Sequence, residues 1–449
     1  MAVTDPDWRA HMIVMKFGGT SLADSEHIIH VGTVIKERID LDPLVVVSAV
    51  GGVTDLLVEA VKKAGKGTVA FDAIHDVHYK IIEDLSLDET AFSLDFDEMK
   101  RILMGISYLR EVSPRVEDMF VSFGERLCAK ILARYLNSQN MTARMCPAYD
   151  YGLITDSTYG KAQVLDESYD EIESRMKEVE GIPVVTGFVG RDKQGNITTL
   201  GRGGSDYTAS IFGAALDAEE IQIWTDVTGI MTADPTVVGT AGSIGHLSFK
   251  EAGELAYYGA RVLHPSAILP AMKKGIQVKV LNTFAPDKSG TTITDHAVAS
   301  DKGIKSIAYK ENQVLINIES AEMFMAYGFL GRIAEIFGRH HVILDMISTS
   351  ETTVSLTAAP GQNLKPALKE IGEFAEFDVD YGKAILCVVG EGIPEAEHVA
   401  SRMLSVLEQE EVKLEMISQA KIGINIGVLI NNEDISKAVE ALHREFFED

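Results

Sequence analysis

Apolar positions in the first 300 residues follow two alternating periods. "MIVMKF" (12–17) reads as a strand, and "SEHIIHVGTVIKERI" (25–39) places apolar side chains at 28, 31, 34, 35 and 39, one stripe of a helix. "PLVVVSAV" (43–50) is a continuous apolar strand closed by Gly51 and Gly52, and "TDLLVEAVKKA" (54–64) is helical again. "IPVVTGF" (182–188), "EIQIWTDV" (220–227) and "IQVKVLN" (276–282) repeat the strand-length pattern between helical segments. Continuous apolar strands alternating with amphipathic helices predict an α/β domain, a mainly parallel sheet covered on both faces. Residues 70–130 read as mostly helical, a lid or a helical insertion. Gly-rich turns follow Phe17, Val50, Phe188 and Val227, where an open α/β sheet binds its ligands.

Past Ile304 the pattern changes to an internal repeat. "VILDMISTS" (342–350) aligns with "VKLEMISQA" (412–420), a shift of 70 residues. An amphipathic helix precedes each copy, "FLGRIAEIFGRH" and "HVASRMLSVLEQE"; an alternating strand follows, "TTVSLTA" and "IGINIGVLI"; then another helix, "LKPALKEIGEF" and "ISKAVEALHREF". With "QVLINIES" and "AILCVVG" as leading strands, both copies read β-α-β-β-α, a ferredoxin-like α+β unit seen twice.

Charge narrows the partners. The net charge of −26 argues against nucleic acid and anionic membranes, so an anionic substrate needs a locally positive site. No apolar run reaches 18 residues, and "MAVTDPDWRAH" reads as a loose extension rather than a secretory signal. Cys128, Cys146 and Cys387 form no C-x-x-C pair, which predicts neither disulfides nor a zinc site and suggests a reducing cytoplasm.

Two loops suit anions. In "VMKFGGTSLAD" (14–24), Lys16 precedes Gly18 and Gly19, so its ammonium can cross the strand ends toward a transferring phosphoryl group while the glycine amides hold phosphates. In "TTLGRGGSDYTAS" (198–210), Arg202 sits among Gly201, Gly203 and Gly204, its fork suited to a carboxylate, and Ser205 and Asp206 open a helix. The plainer alternatives are a surface lysine at a strand end and a helix cap beside a solvated arginine. Glu125 in "VSFGERL" (121–127) can receive an ammonium or be a solvated helix residue. Thr225 and Asp226 in "WTDVTGIMTADPTVV" (224–238) suit a nucleoside or a simple strand exit. In "GARVLHPSAI" (259–268), the proline after His264 suggests a rigid turn rather than an acid–base catalyst.

In order and spacing, "KFGGTS", "SFGERL", "TTLGRGGSDYTA", "WTDVTGI", "TADP" and "GARVLHP" resemble the aspartokinases of the amino acid kinase family, from Ile13 onward. The tail resembles their paired ACT domains; "MFMAYGFL" and "DMISTSE" are similar to the monofunctional, lysine-sensitive type. The resemblance implies a three-layer α/β/α kinase domain over 12–300 and ACT domains over 307–385 and 386–449, the two interleaved. It implies phosphorylation of the L-aspartate side-chain carboxylate by ATP with Mg2+, in the cytoplasm, by a homodimer or homotetramer under amino-acid feedback. Another kinase of the superfamily, for glutamate, carbamate or UMP, and a non-catalytic sensor are the alternatives.

Roles follow residue by residue. The resemblance makes Lys16 and Asp206 catalytic, and gives ATP Lys16, Phe17, Gly18, Gly19, Thr225, Asp226, Met231, Arg261 and Val262. It gives aspartate Ser48, Thr54, Glu125, Arg202, Gly203, Gly204 and Ser205. An effector, lysine foremost, would take Met323, Ala326, Gly328, Phe329, Leu330, Ile343, Leu344, Asp345, Ser350 and Glu351, in the first copy only, across a dimer contact; the second copy carries Lys421 in place of Glu351. Met231, Thr236, Arg261 and Ala326 stand where the family often has Tyr, Arg, Lys and Ser.

Overall fold

The computed structural model describes residues 12–259, 263–296, 303–320, 323 and 327–448. The N-terminal extension, Arg261, Val262 and Ala326 lie outside the described residues. The chain divides into two units, one from residues 12–230, 243–253 and 263–296, the other from 231–242, 254–259 and 303–448.

The first unit contains β1 Ile13–Phe17, β2 Pro43–Val47, β3 Ala143–Cys146, β4 Ile154–Thr155, β5 Ile182–Thr186, β6 Val189–Asp192, β7 Ile197–Thr199, β8 Glu220–Thr225, β9 His246–Ser248, β10 Gln277–Asn282 and β11 Thr291–Thr294. Eight of them form one sheet, in the order β3-β5-β2-β1-β8-β10-β11-β9. The six from β3 to β10 run parallel, as continuous apolar strands require when both faces are covered. All five residues of β2 and of β5 are buried.

Alternation along β1 sends Met15 and Phe17 into the core under the helices, while Val14 faces Gly213, where a Cβ would stand 2.7 Å from Ile221. Residues 70–138 form the helices Asp72–Asp84, Ser93–Leu109, Pro114–Val121 and Phe123–Ser138. Their Ile74, Met99, Leu103, Phe120 and Leu127 share one buried cluster with Val45 and Val47, so this region is part of the domain's covering layer. Register levels the strand ends: Phe17 lies beside Val47 and Trp224, and Val47 beside Thr186.

The second unit holds β12 Ser306–Glu319, β13 Leu344–Thr349, β14 Thr353–Ala358, β15 Glu376–Val389, β16 Met416–Gln419 and β17 Asn425–Asn431, in the order β13-β14-β12-β15-β17-β16. β12 and β15 are each twice the length expected of a leading strand, and each serves both copies of the repeat. Residues 314–319 of β12 pair β14, and 383–389 of β15 pair β17. The antiparallel β12–β15 ladder breaks its register between Lys310 and Leu315, where Asn312 has φ 56° and Gly382, on the facing strand, φ 72°. Ser306–Lys310 thus complete the sheet of the second copy, and Glu376–Asp380 that of the first.

Two cores follow this division. Ile316, Ile333, Phe337 and Leu368 lie in one; Ile307, Leu386, Met403 and Leu442 lie in the other. Segments 231–242 and 254–259 also fold into this unit, although the sequence places them within 12–300. Asp234 explains the first: its Oδ2 accepts from Tyr309 Oη at 2.9 Å, and its Oδ1 takes both N–H and hydroxyl of Thr236. Glu254 explains the second, accepting from Asn425 Nδ2 at 2.6 Å.

Ile307 precedes the first copy in sequence yet is 2% exposed in the core of the second. Ile307→Ala should cost about 2–5 kcal/mol in urea unfolding. Amide-exchange protection should fall in β17 and the helix Ile435–Phe447 and persist in β14; loss confined to β14 would contradict the shared strand.

Candidate active site

Four loops meet at the level carboxyl ends of the parallel strands. Lys16, next to last in β1, ends with Nζ 2.5 Å from Asp206 Oδ1, each side chain about a tenth exposed (11% and 12%). Asp206 lies in the first turn of the helix Gly204–Ala215, whose N-terminus favours an anion. The glycines are required by close approach: a Cβ on Gly19 would stand 3.1 Å from the Ala49 carbonyl oxygen, and one on Gly51 3.0 Å from that of Gly19. Gly18 donates its N–H to the Trp224 carbonyl at 3.2 Å, tying this loop to β8.

Glu125 is 3% exposed. Its Oε1 accepts the Ala49 N–H at 3.1 Å, while Oε2 has no partner among the described residues. Burial pushes its carboxyl up to about 8. Gly124 allows this placement, since a Cβ there would stand 2.7 Å from that of Ala49.

Arg202 is exposed on the turn between β7 and the helix Gly204–Ala215, flanked by Gly201 at φ 76° and Gly203 at φ 72°, both left-handed. No carboxylate lies within ion-pair distance of it among the described residues. Side-chain space is closed at Gly203 by His264, and a Cβ on Gly187 would stand 2.6 Å from Ser205. Lys16, Ser48, Thr54, Glu125, Arg202, Gly203, Gly204, Ser205 and Asp206 line one open cleft of about 290 Å³, with Gly201 and Phe188. Sequence reading passed over Phe188; a phenylalanine at φ 67° after a glycine leaves no sequence signal beyond the turn itself.

The other assigned residues lie elsewhere. Phe17 is fully buried and stacks on Trp224 with ring centroids 5.9 Å apart. Thr225 donates its hydroxyl to Asp226 Oδ1 at 3.1 Å at the end of β8, outside the cleft lining. Met231 belongs to the second unit, where its carbonyl accepts from Ser306 Oγ at 2.8 Å. His264 caps the helix Pro265–Lys274 through Nδ1, and burial first, then the Arg202 charge, hold its pKa below the usual histidine range.

In the second unit, Asp345 is the buried member of the effector set, its side chain 1% exposed. Its Oδ1 accepts from Lys310 Nζ at 2.7 Å and from Tyr257 Oη, and Oδ2 has no partner among the described residues. Gly328 (φ 83°) caps the helix Phe329–Arg339, which opens with Phe329 and Leu330; Met323 packs on the first-copy core. Leu344 begins β13, Ile343 is 67% exposed, and Ser350 and Glu351 form an exposed turn closed by the Ser350 N–H on the Thr353 carbonyl at 2.8 Å. The second copy repeats the buried pairing: Glu415 accepts from Lys383 at 3.2 Å.

Residues 11–282 match the amino acid kinase family and residues 386–446 match the ACT domain. Aspartokinase 1, chloroplastic, of Arabidopsis thaliana is 34% identical, the match covering all of this chain and 82% of the relative. Lysine-sensitive aspartokinase 3 of Escherichia coli strain K12 is 32% identical over 98% of this chain and all of the relative. Among solved structures, E. coli aspartokinase III in complex with aspartate and ADP (R-state) superimposes with a TM-score of 0.86 at 30% identity, over 97% of this chain and 100% of that one. The cleft, the parallel sheet and these likenesses agree: this chain belongs to the amino acid kinase family and, within it, to the aspartokinases.

Proposed function

We propose that the cleft of Lys16, Glu125 and Arg202 is where this aspartate kinase holds L-aspartate and transfers the γ-phosphoryl group of ATP to its side-chain carboxylate. One observation carries this reading: a cleft of about 290 Å³ brings together a pre-formed lysine–aspartate pair with a buried carboxylate oxygen and an arginine that have, among the described residues, no partner and no counterion. Glu125 Oε2 receives the substrate ammonium, and Arg202 takes a carboxylate in its fork. Ser48, Thr54 and Ser205 complete the pocket with hydroxyls.

A carboxylate oxygen of the substrate attacks the γ-phosphorus, and the bond from that phosphorus to the ADP oxygen breaks. Lys16 neutralises charge on the transferring oxygens, with Asp206 fixing its ammonium in place. The Gly18 and Gly19 loop faces the phosphates, and Thr225 and Asp226 lie toward the nucleoside. Mg2+ is taken mostly by phosphate oxygens and water in such sites, with one or two carboxylates. Asp206 fits that need, and the ion would screen phosphate charge.

Lysine is the effector we assign, supported by the likeness to the lysine-sensitive enzyme and by Oδ2 of Asp345, which has no partner among the described residues. Lys310 already places one ammonium on that carboxylate, so effector lysine adds to or displaces an internal one. Pairing through the ACT sheets as a homodimer or homotetramer, and a cytoplasmic setting, complete the proposal.

Three outcomes test it. Lys16→Ala should lower turnover by about 10²–10³ with an unchanged circular dichroism spectrum; activity within threefold of wild type would remove its role.

Glu125 gives a pH signature. With its folded pKa raised, its contribution to stability is greatest below the unfolded value and is lost as pH rises through about 8. Ammonium binding needs the ionised form, so the aspartate KM should fall as pH rises from 6 to 8, by up to about tenfold per unit. Glu125→Gln should flatten that profile at a raised KM; an unchanged profile would place the ammonium elsewhere.

Asp345→Ala should raise the lysine concentration for half-inhibition by about tenfold or more, as loss of a buried charged partner does. Unaltered inhibition would move the effector site away from Asp345.

A further inference from the structure

A buried carboxylate that the mechanism above does not use is tied by hydrogen bonds to the segments that carry both charged ends of the amino-acid pocket. Asp118, on the helix Pro114–Val121, is 4% exposed. Its Oδ2 accepts the Gly160 N–H at 2.9 Å and the Thr199 N–H at 2.8 Å, and its Oδ1 accepts the Thr199 hydroxyl at 2.9 Å. These partners lie 42 and 81 residues away in sequence.

Both of Asp118's connections lead to the pocket. Thr199 ends β7, and Arg202 follows three residues later. The carbonyl of Gly160, the residue whose N–H Asp118 holds, lies 3.1 Å from where a Cβ on Gly201 would stand, and Ala162 donates to the Thr199 carbonyl at 2.9 Å. Gly201 is thus hemmed in one residue before Arg202. In the other direction, the Asp118 carbonyl accepts the Ser122 N–H at 3.1 Å, and the Ser122 carbonyl accepts the Arg126 N–H at 3.2 Å. The chain therefore passes by a continuous set of helical hydrogen bonds from Asp118 to the turn that carries Glu125.

We propose that Asp118 is a positioning residue for the amino-acid substrate: it sets the separation between the Arg202 loop and Glu125. This rests on the assignment of Arg202 and Glu125 to the two charged ends of aspartate. Hydrogen bonds to an ionised acceptor are short and about twice as strong as neutral ones, so three of them fix the strand end against the helix. Asp118's own hydrogen bonds run to Gly160, Thr199 and its helix, not to Lys16 or β8. Its loss therefore acts on one substrate.

The test is steady-state kinetics of full-length variants with both substrates varied. Asp118→Ala should raise the aspartate KM by about 10- to 100-fold, the range for a displacement near 1 Å, and leave the ATP KM within about twofold. Asp118→Asn keeps the shape, since its amide can donate to the Thr199 hydroxyl while its oxygen accepts the two N–H groups, and should recover most of the loss. If Asp118→Ala does not fold, Thr199→Val, which removes only the hydroxyl bond, should raise the aspartate KM by about threefold with the ATP KM unchanged. An unchanged aspartate KM, an equal rise in both KM values, or no recovery in Asp118→Asn would overturn the proposal. Arg202→Lys separates the two readings. A raised aspartate KM there beside an unchanged one in the Asp118 variants rejects the positioning role alone. An unchanged aspartate KM in Arg202→Lys rejects the pocket assignment itself.

Discussion

The ion pair between Lys16 and Asp206 is the constraint on which the catalytic unit turns. Its members come from β1 and from the helix after β7, 190 residues apart, and stand 2.5 Å from each other with little exposure. Taking two charges out of water is costly, and the cost is offset only if both are held in good geometry. The parallel sheet does this. Fully buried β-branched strands fix the level of the strand ends, and glycines let the loops at those ends touch backbone to backbone. A lysine already oriented needs no reorganisation when charge develops beside it, which is the economy of electrostatic preorganisation.

Glu125 shows the same logic from the opposite side. It is buried with no ion partner among the described residues; burial pushes its carboxyl up to about 8, and its second oxygen has no donor among them. In the second unit, each copy of the repeat sets an acid against a lysine: Asp345, whose side chain is 1% exposed, against Lys310, and Glu415 against the buried Lys383. The copies therefore differ less in local charge than Lys421 suggests. They differ in that Tyr257 also reaches Asp345, whereas Lys413 joins Glu415.

Much of this was legible in the sequence because the signals are local. Strand-length apolar runs, a 3.6-residue stripe and glycines at strand ends located β1, β2, β5, β8 and β10 and the Lys16 and Arg202 loops. What escaped depends on distant partners. Asp118 looks like an ordinary helix residue in "RVEDMFV", because its three donors come from Gly160 and Thr199. Phe188 enters the cleft through a backbone conformation that its side chain does not announce. The shared strands β12 and β15 escaped because a repeat suggests contiguous copies, and only the register break at Asn312 shows where one copy hands over to the other. Met231 and the Asp234 turn read as part of a nucleotide loop, yet their hydrogen bonds run to Ser306 and Tyr309.

The most direct measurement of the central claim is calorimetric titration of L-aspartate into the protein at pH 7, repeated in buffers of different ionisation enthalpy. A carboxyl with a pKa of about 8 is mostly protonated there and must ionise to accept an ammonium. The account predicts release of about one proton per site, abolished in Glu125→Gln. Binding with no dependence on buffer in the wild-type protein would contradict it.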